Sequence, residues 1–243
     1  MHDLFFEASH EDRYEILMTL QKNAMRITDI AKELDINNPE ARRHVSRLRD
    51  VGLIHRDIEG LYHLTPYGEA CLTLFSEFDF LSTNKEYFGS HSLSRIPVQF
   101  IKRVGELLET KSLVNAIDFF RYIENLFRES KDYVWLLVDQ FPMNSLSSIM
   151  DSIGRGVKYR IIEPRDRVLD PDIDALSSEE SQAISRTRGT SLLEQRMLDE
   201  VGICMFISDS NCVLAFPTSD GKYDYVGFSG TDEQTLNLSL IHI

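Results

Sequence analysis

Residues 27–69 read ITDIAKELDINNPEARRHVSRLRDVGLIHRDIEGLYHLTPYGE, and the pattern of this segment determines the architecture predicted for the N-terminal part of the chain. Residues 38–50 are predicted to form its central helix, with apolar side chains at helical spacing that form a buried stripe: Ala41, Val45 and Leu48. The same periodicity places polar and basic side chains on the outer face: Asn38, Arg42, Arg43, Ser46 and Arg47. The segment therefore predicts a helix with a guanidinium-rich surface.

Two helices are predicted before this segment. Ser9 is suited to cap the first, whose inward positions include Ile16 and Leu17 at helical spacing. Residues 27–34 form the second, shorter helix, for which Thr28 is the predicted N-cap. The sequence therefore predicts three consecutive helices, the third of which has a basic outer face.

Capping and turn residues bound the third helix. Either Asn37 or Asn38 caps its start, and Pro39 fits the first turn, where no backbone N–H is needed. Gly52 suits the left-handed position that follows a helix. Alternating apolar and polar residues over 54–64, interrupted by a glycine, then predict a β-hairpin.

Thr65 caps a fourth helix that runs toward Leu81, which completes the order helix, helix, turn, helix, hairpin, helix. Residues 27–69 resemble the winged helix-turn-helix region of prokaryotic regulators, whose recognition helix ends in RL…GL and whose wing ends in Y.LT..G. The resemblance implies that recognition helix 38–50 enters the major groove of double-stranded DNA and that wing 54–64 contacts the backbone. The DNA-binding residues that it implies are Thr28, Asn38, Arg42, Arg43, Ser46, Arg47, Arg56 and His63.

Charge argues partly against this interpretation. The net charge is -13, whereas a surface that binds the phosphate backbone is commonly basic. Residues 1–68 carry 9 Lys+Arg and 12 Asp+Glu, but residues 36–56 contain five arginines and only two acidic residues, so a local basic surface remains. The alternatives are a solvated helix face, or a winged helix that binds a protein partner without DNA.

The second part of the chain has the pattern of an α/β domain. Helices are predicted over residues 96–108, 113–128 and 144–153. Strands are predicted over residues 133–138, 157–162, 192–198, 203–208, 213–216 and 225–228. A strand, helix, strand unit over 133–162 indicates a parallel sheet, and a polar, acidic insertion is expected over 166–181.

Four segments of this part, residues 90–107, 132–140, 156–164 and 213–230, resemble the effector domain of archaeal regulators of the methanogenesis-regulator type. That domain is a phospholipase-D-like α/β fold, akin to that of the sugar-responsive TrmB regulators. Phospholipase-D chemistry needs paired HxK motifs to form a covalent phospho-histidine, and this sequence contains no HxK. The expectation is a sensor domain without catalytic residues, and not an enzyme.

Three residues are candidates for binding a small anionic effector. Asp139 follows the first strand and Arg160 lies in the second, near the strand ends where open α/β sheets hold ligands; Arg196 adds a further cation. Arg165 and Arg167 follow shortly after the second strand. The alternative is that the arginines pair with carboxylates of their own domain.

Cysteine usage and hydropathy argue against disulfide-stabilised, zinc-binding and membrane-spanning classes of protein. Cys71, Cys204 and Cys212 have no CxxC or nearby His spacing, so neither a disulfide framework nor a zinc site is predicted, and no metal or other cofactor is expected. No apolar stretch reaches the roughly 18 residues that span a bilayer, and the N-terminus lacks a signal peptide. We expect a cytoplasmic protein without a membrane partner.

The predicted domains are a winged helix-turn-helix domain with its fourth helix (1–82), a linker (83–92) and an α/β effector and dimerisation domain (93–243). A homodimer is expected, in which the fourth helix either forms the dimer interface or packs on the first helix. The final TLNLSLIHI (235–243) ends in a segment that resembles translated sequencing-adapter sequence. We expect an uncapped apolar tail there, and a truncated C-terminal end in place of the family's final helix.

Overall fold

The computed structural model describes residues 2–140, 142–166 and 192–241. The chain divides into two compact units, Met1–Phe78 and Asp79–Ile243, and the boundary falls within one helix. The expected insertion beyond residue 166, with Arg167, and the last two residues of the C-terminal tail lie outside the described residues.

The first unit has the order of elements that the sequence predicts, preceded by one extra helix. Its elements are α1 (His2–Ala8), α2 (Glu11–Lys22), α3 (Ile27–Glu33), α4 (Asn38–Asp50), β1 (Ile54–Arg56), β2 (Tyr62–Leu64) and α5 (Pro66–Thr83). Strands β1 and β2 pair antiparallel, with His55 opposite His63. The buried core contains the predicted stripe of α4 and side chains from the other elements: Ile16, Leu17, Ile30, Val45, Leu48, Leu53, Ile54 and Phe75.

Most local signals in this unit are confirmed. The Asn37 side chain caps α4 by accepting a hydrogen bond from the Glu40 N–H (2.9 Å). Gly52 has a φ of +80°, the left-handed conformation that ends the helix. Thr65 accepts a hydrogen bond from the Gly68 N–H (2.9 Å), which caps α5. The turns around α4 are therefore set by the residues that the sequence pattern singled out.

Two predicted caps are wrong. Ser9 does not cap α2, because His10 occupies the N-cap position of that helix, and the Ser9 hydroxyl donates to the Phe6 carbonyl at 3.1 Å. Thr28 does not cap α3 either, because the helix already begins at Ile27 and Arg26 occupies the N-cap position without a side-chain hydrogen bond. Thr28 is instead an exposed residue of the first helical turn.

The described residues of the second unit form a seven-stranded mixed sheet, which confirms the α/β prediction at that level. Its strands are β3 (Lys111–Leu113), β4 (Tyr133–Leu137), β5 (Lys158–Pro164), β6 (Leu193–Leu198), β7 (Cys204–Ser208), β8 (Cys212–Ala215) and β9 (Gly227–Gly230). The spatial order is β3-β9-β8-β7-β4-β5-β6. Strands β4, β5 and β6 run parallel, and the other neighbours pair antiparallel.

Hydrophobic side chains bury both faces of this sheet. Along β7, Cys204 and Phe206 belong to one core and Met205 and Ile207 to the other, as alternation along a strand requires. Among the described residues of this unit, the helices are α6 (Lys85–Phe88), α7 (Val98–Ile101), α8 (Ala116–Glu129), α9 (Leu146–Gly154) and α10 (Glu233–Ile241), with 3-10 turns at Val104–Leu107 and Met143–Ser145. Helices α8 and α9 contribute to the first core, and α10 contributes Leu238 to the second.

The predicted linker over 83–92 is wrong. The segment is polar on average, but it contains helix α6, whose Tyr87 and Phe88 pack against the second core. The Tyr87 hydroxyl accepts a hydrogen bond from the Phe216 N–H (2.9 Å) and donates to the Val226 carbonyl (3.2 Å). Burial raises the pKa of Tyr87 well above its ordinary value, consistent with an interior side chain.

Two predicted helices of this unit have different bounds. The helix expected over 96–108 is broken into the single turn of α7 and a 3-10 turn. The helix expected from residue 113 begins only at Ala116, because Asn115 accepts a hydrogen bond from the Asp118 N–H (2.9 Å) and caps it. The residues just before it form strand β3 and pair with β9.

The expectation of an uncapped tail is also wrong. Residues Glu233–Ile241 form α10, and Asp232 caps its first turn by accepting a hydrogen bond from the Thr235 N–H (2.8 Å). Leu238 of this helix is buried. Within the described ranges, no helix combines the length and apolar content that crossing a membrane requires.

Candidate nucleic-acid interface

The outer face of α4 presents two arginines that the remainder of the unit leaves at the surface. Arg42 and Arg43 are exposed, whereas Ala41 and Val45 on the inner side are buried. Arg43 lies 3.3 Å from Glu40 one turn earlier on the same helix, but its side chain remains 64% exposed. An exposed ion pair of this kind contributes little and exchanges readily for another anion. The predicted guanidinium surface is therefore real at these two positions.

Arg47 meets a different environment, because its guanidinium is paired with a carboxylate, although its side chain stays 46% exposed. Its Nε and Nη2 donate to both carboxylate oxygens of Glu7 in α1, at 2.8 and 2.7 Å. A bidentate pair of this geometry fixes the guanidinium in orientation as well as in position. The cause is helix α1, which carries no sequence signal that pointed to this contact.

Glu7 also holds a second arginine. Its Oε2 lies 3.1 Å from Nε of Arg13 in α2, and both of these side chains are almost completely buried. Arg13 additionally donates to the backbone carbonyls of Phe6 and Glu7. The hydrogen bond from Arg47 lowers the pKa of Glu7 against the opposing effect of burial, so the carboxylate is ionised at neutral pH.

The other predicted residues of the three helices occupy mixed positions. Asn38 is exposed in the first turn of α4. Ser46 is half-buried, and its hydroxyl oxygen lies 3.5 Å from Nη2 of Arg49. Arg49 itself is 53% exposed, and its nearest acidic partner is the neighbouring Asp50 at 3.9 Å. Arg49 therefore adds to the basic surface of α4, although the sequence pattern did not select it for DNA binding.

The hairpin between β1 and β2 is organised by one carboxylate. Asp57 Oδ1 accepts hydrogen bonds from the backbone N–H groups of Glu59 and Leu61, at 2.9 and 2.8 Å. Its Oδ2 lies 2.8 Å from Nε2 of His63, and this contact lowers the pKa of Asp57. His63, predicted to flank a phosphate, is thus engaged inside the hairpin.

Arg56 and Ile58 are among the exposed side chains of the hairpin, together with His55 and Glu59. The Arg56 guanidinium carbon lies 5.8 Å from the centre of the Tyr62 ring, and its Nε donates to the Gly60 carbonyl at 3.4 Å, a weak contact. Ile58 at the tip is completely exposed. The predicted position of Arg56 at the surface of the wing is what the structure shows.

The predicted effector residues of the second unit divide between two clusters. Arg160 Nε lies 3.0 Å from Glu194, and Arg196 Nη2 lies 2.6 Å from the same carboxylate. The hydrogen bonds from Arg196 contribute most to lowering the pKa of Glu194. The Arg160 guanidinium also stacks over Trp135, 4.9 Å from the ring centre. The alternative of pairing with local carboxylates is therefore the observed one for both arginines.

Asp139 does not join this pair of arginines. It is partly buried beyond the end of β4, where the Tyr225 hydroxyl donates to its carboxylate at 3.3 Å. Burial raises the pKa of Asp139. The three residues therefore do not form the single anion site that their positions in the sequence suggested.

Three side chains near the start of α2 and in α4 have metal-ligating atoms close together: His10, Asp12 and His44. His44 is buried, and burial lowers the pKa of its imidazole. Neither cysteine spacing nor neighbouring ligand residues in the sequence indicated this group, because His44 lies more than 30 positions from the other two. Asp12 and His44 come together only through the packing of α2 on α4.

Comparisons with solved structures return several partial likenesses. TrmBL2, an archaeal chromatin protein described as showing a novel mode of DNA binding, matches with 15% identity and a TM-score of 0.44 over 96% of this chain and 90% of its own. NucT from Helicobacter pylori matches with 12% identity and a TM-score of 0.40 over 55% of this chain and 91% of its own.

A riboflavin-derivative dimethyltransferase, RosA from Streptomyces davawensis, has 9% identity and a TM-score of 0.28 over 81% of this chain and 63% of its own. At these low identities and TM-scores, none of the three structures identifies the function. A search among curated proteins finds no match. By sequence, residues 1–86 are similar to the family described as the HVO_A0261 N-terminal domain.

Proposed function

We propose that the protein is a DNA-binding transcription regulator of the winged helix-turn-helix type. Helix α4 would enter the major groove, and the β1–β2 hairpin would contact the adjacent backbone. The observation that carries the proposal is the pair of exposed arginines, Arg42 and Arg43, on the outer face of a helix that is firmly capped and buried on its other side. An arginine fork matches the two acceptors of guanine or two phosphate oxygens.

Arg49 and Arg56 support the same surface. Both are exposed, and among the described residues neither has a close, buried acidic partner that it would have to release before binding. Side chains of this kind supply phosphate contacts that position a protein on the duplex. Arg47, in contrast, is proposed to position α4 by holding it to α1, and not to contact DNA directly.

The second unit is proposed to be an effector domain that also dimerises and that carries no enzymatic activity. Its mixed sheet, covered on both faces, is a stable core on which a ligand site would be mounted. Because Arg160 and Arg196 already share Glu194, a small anion would have to compete with that carboxylate. In a dimer, two α4 helices would read half-sites about one helical turn apart.

Fluorescence anisotropy with labelled DNA from upstream of the protein's own gene tests this proposal. The decisive variant is Arg42→Gln/Arg43→Gln, and its matched control is Arg160→Gln/Arg196→Gln, which also removes two surface arginines. We expect the α4 double variant to weaken binding by about 30-fold or more, since each good contact is worth roughly 1–3 kcal/mol, and the control to bind like the parent. Equal binding by all three proteins would refute the assignment of α4.

A protein partner is the second candidate, and exposed aromatic side chains favour it. Phe5 and Phe6 of α1 and Phe78 of α5 are 44%, 56% and 57% exposed, and Phe5 lies 5.9 Å from Phe78, ring centre to ring centre. Clustered exposed aromatic residues are typical of protein contact surfaces. The same anisotropy assay separates DNA binding from protein binding. A winged helix that binds only a protein partner would show no DNA binding at any salt concentration that keeps it folded.

A further inference from the structure

A histidine and carboxylate cluster lies where α2 begins and contacts α4. His10 precedes the first residue of α2, Asp12 is in its first turn, and His44 lies on the buried side of α4. Nε2 of His44 lies 3.3 Å from Oδ2 of Asp12, and Nδ1 of His10 lies 3.6 Å from the same oxygen. The three candidate ligand atoms are all within 4.8 Å of one another.

These separations suit one small ion. Nitrogen and oxygen ligands lie about 2.0–2.2 Å from zinc, so two ligands of a tetrahedral ion stand about 3.4 Å apart. Two of the pairs already have nearly this spacing. The His10 side chain is 43% exposed, so it can rotate to close the remaining distance without disturbing the core. The His10 and His44 rings already face each other, with centres 4.7 Å apart.

The hydrogen bonding of His44 is an independent observation that points to a ligand. His44 is 1% exposed, and in the described part of the chain neither of its ring nitrogens has a hydrogen-bond partner. Asp12 is close, but it does not meet Nε2 in hydrogen-bonding geometry. Buried polar groups without partners cost stability, and a metal ion at Nε2 would occupy one of the two.

The charges around the cluster are compatible with a cation. Two arginines whose charges act on His44 are Arg13 and Arg43, and each pairs with a carboxylate: Arg13 with Glu7 and Arg43 with Glu40. Asp12 brings its own negative charge to the cluster and is 32% exposed, which leaves one side open to water. Imidazole and carboxylate together suit zinc and its first-row neighbours better than calcium or magnesium.

We propose that His10, Asp12 and His44 bind one divalent transition-metal ion of the zinc type, with a fourth position open to water or to an outside ligand. The ion would join the start of α2 to α4 across a contact that is otherwise closed by side-chain packing. The site consists of residues within the first unit alone, and it does not depend on whether α4 binds DNA.

Titration calorimetry of the full chain with zinc chloride, after treatment with a chelator, tests the proposal. We expect one zinc ion per chain, and with cobalt(II) we expect the intense visible absorption of a four-coordinate ion. Asp12→Asn and His10→Gln each remove one ligand from a partly exposed position, so both variants should fold, which circular dichroism verifies. Each should weaken zinc binding by at least about tenfold, because even the loss of outer partners costs metal sites 10–100-fold.

His55→Gln is the matched control, since it removes an exposed imidazole of the same unit outside the cluster. It should bind zinc like the parent protein. The proposal is overturned if the parent shows neither zinc heat nor the cobalt spectrum, if Asp12→Asn and His10→Gln bind zinc as tightly as the parent, or if the His55→Gln variant loses the ion. All of these measurements are made without DNA, so failure of the DNA-binding proposal leaves the result unchanged.

Discussion

Arginines on α4 and arginines on strands β5 and β6 differ in the partners that the fold gives them. Arg42 and Arg43 face outward from α4, and Arg43 has Glu40 of the same helix as a close acidic neighbour. Arg160 and Arg196 are also surface residues, but the parallel pairing of β5 and β6 places Glu194 between them. Exposure alone therefore does not make an arginine available to an anion.

The difference follows from the geometry of the two elements. Residues in register on neighbouring strands lie side by side, so Glu194 meets Arg160 across the ladder and Arg196 along its own strand. On an isolated helix face, only residues three or four positions apart can pair. Arg47 differs from the other arginines of α4, because its partner Glu7 lies on a separate helix, α1.

The largest effect that we predict concerns Glu7. Glu7→Ala should lower the local stability of α2 and α4 by about 3 kcal/mol, since it leaves the buried guanidinium of Arg13 without its carboxylate and releases Arg47. Hydrogen exchange measured by mass spectrometry reports this as faster exchange of the amides in both helices. Glu11→Ala, an exposed acidic residue of the same unit, is the control and should leave exchange unchanged. Similar exchange in both variants would contradict a structural role for the pair.

The next effect separates the two kinds of arginine on α4. If Arg42 and Arg43 each neutralise a phosphate, the plot of log K for DNA binding against log salt concentration should be less steep for Arg42→Gln/Arg43→Gln than for the parent. The slope should decrease by roughly 2 in magnitude, because each phosphate left without its arginine removes about 0.9. Arg47→Gln should change the slope by much less, because Glu7 already neutralises that side chain. A decrease of a full unit of slope in Arg47→Gln would show that the ion pair opens on DNA.

The sequence predicted the structure around α4 where the signal was local. Asn37, Gly52 and Thr65 act through hydrogen bonds or backbone conformations within a few residues of themselves, so their roles could be assigned from the pattern. The pairing of Glu7 with Arg47 joins residues 40 positions apart and depends on how α1 packs. No periodicity carries that information.

The same distinction explains the errors in the second unit. The composition of residues 83–92 is polar on average, yet Tyr87 and Phe88 are core residues of α6. Whether Arg160 and Arg196 bind a ligand or Glu194 depends on strand register, which a single sequence does not specify. The sheet could be predicted from its apolar runs, but the contacts of side chains on its surface could not.

A smaller, pH-dependent effect is expected from the same carboxylate. Because the pKa of Glu7 is lowered in the folded protein, its contribution to stability is present above the ordinary glutamate pKa of about 4.3 and is lost as the pH falls through the lower folded value. Hydrogen exchange of α2 and α4, measured from pH 6 down to pH 3 and corrected for intrinsic rates, should show this loss. Glu7→Gln, which does not titrate, should flatten the profile in that window.

The smallest effect is expected on the sheet. Glu194→Ala should change the free energy of unfolding only slightly, because the ion pairs that it forms are exposed to solvent. Urea unfolding followed by the fluorescence of Trp135, the single tryptophan, measures it. A loss as large as that of Glu7→Ala would mean that the two arginine environments are energetically alike.

Asp57 has one more consequence for the hairpin. By accepting hydrogen bonds from the Glu59 and Leu61 amides and holding His63, it gives the loop a fixed shape before any partner arrives. A loop that is ordered beforehand sacrifices little conformational entropy on association. Arg56 and Ile58 are thus carried on a preorganised support, and any energy gained through them would go into affinity instead of into ordering the loop.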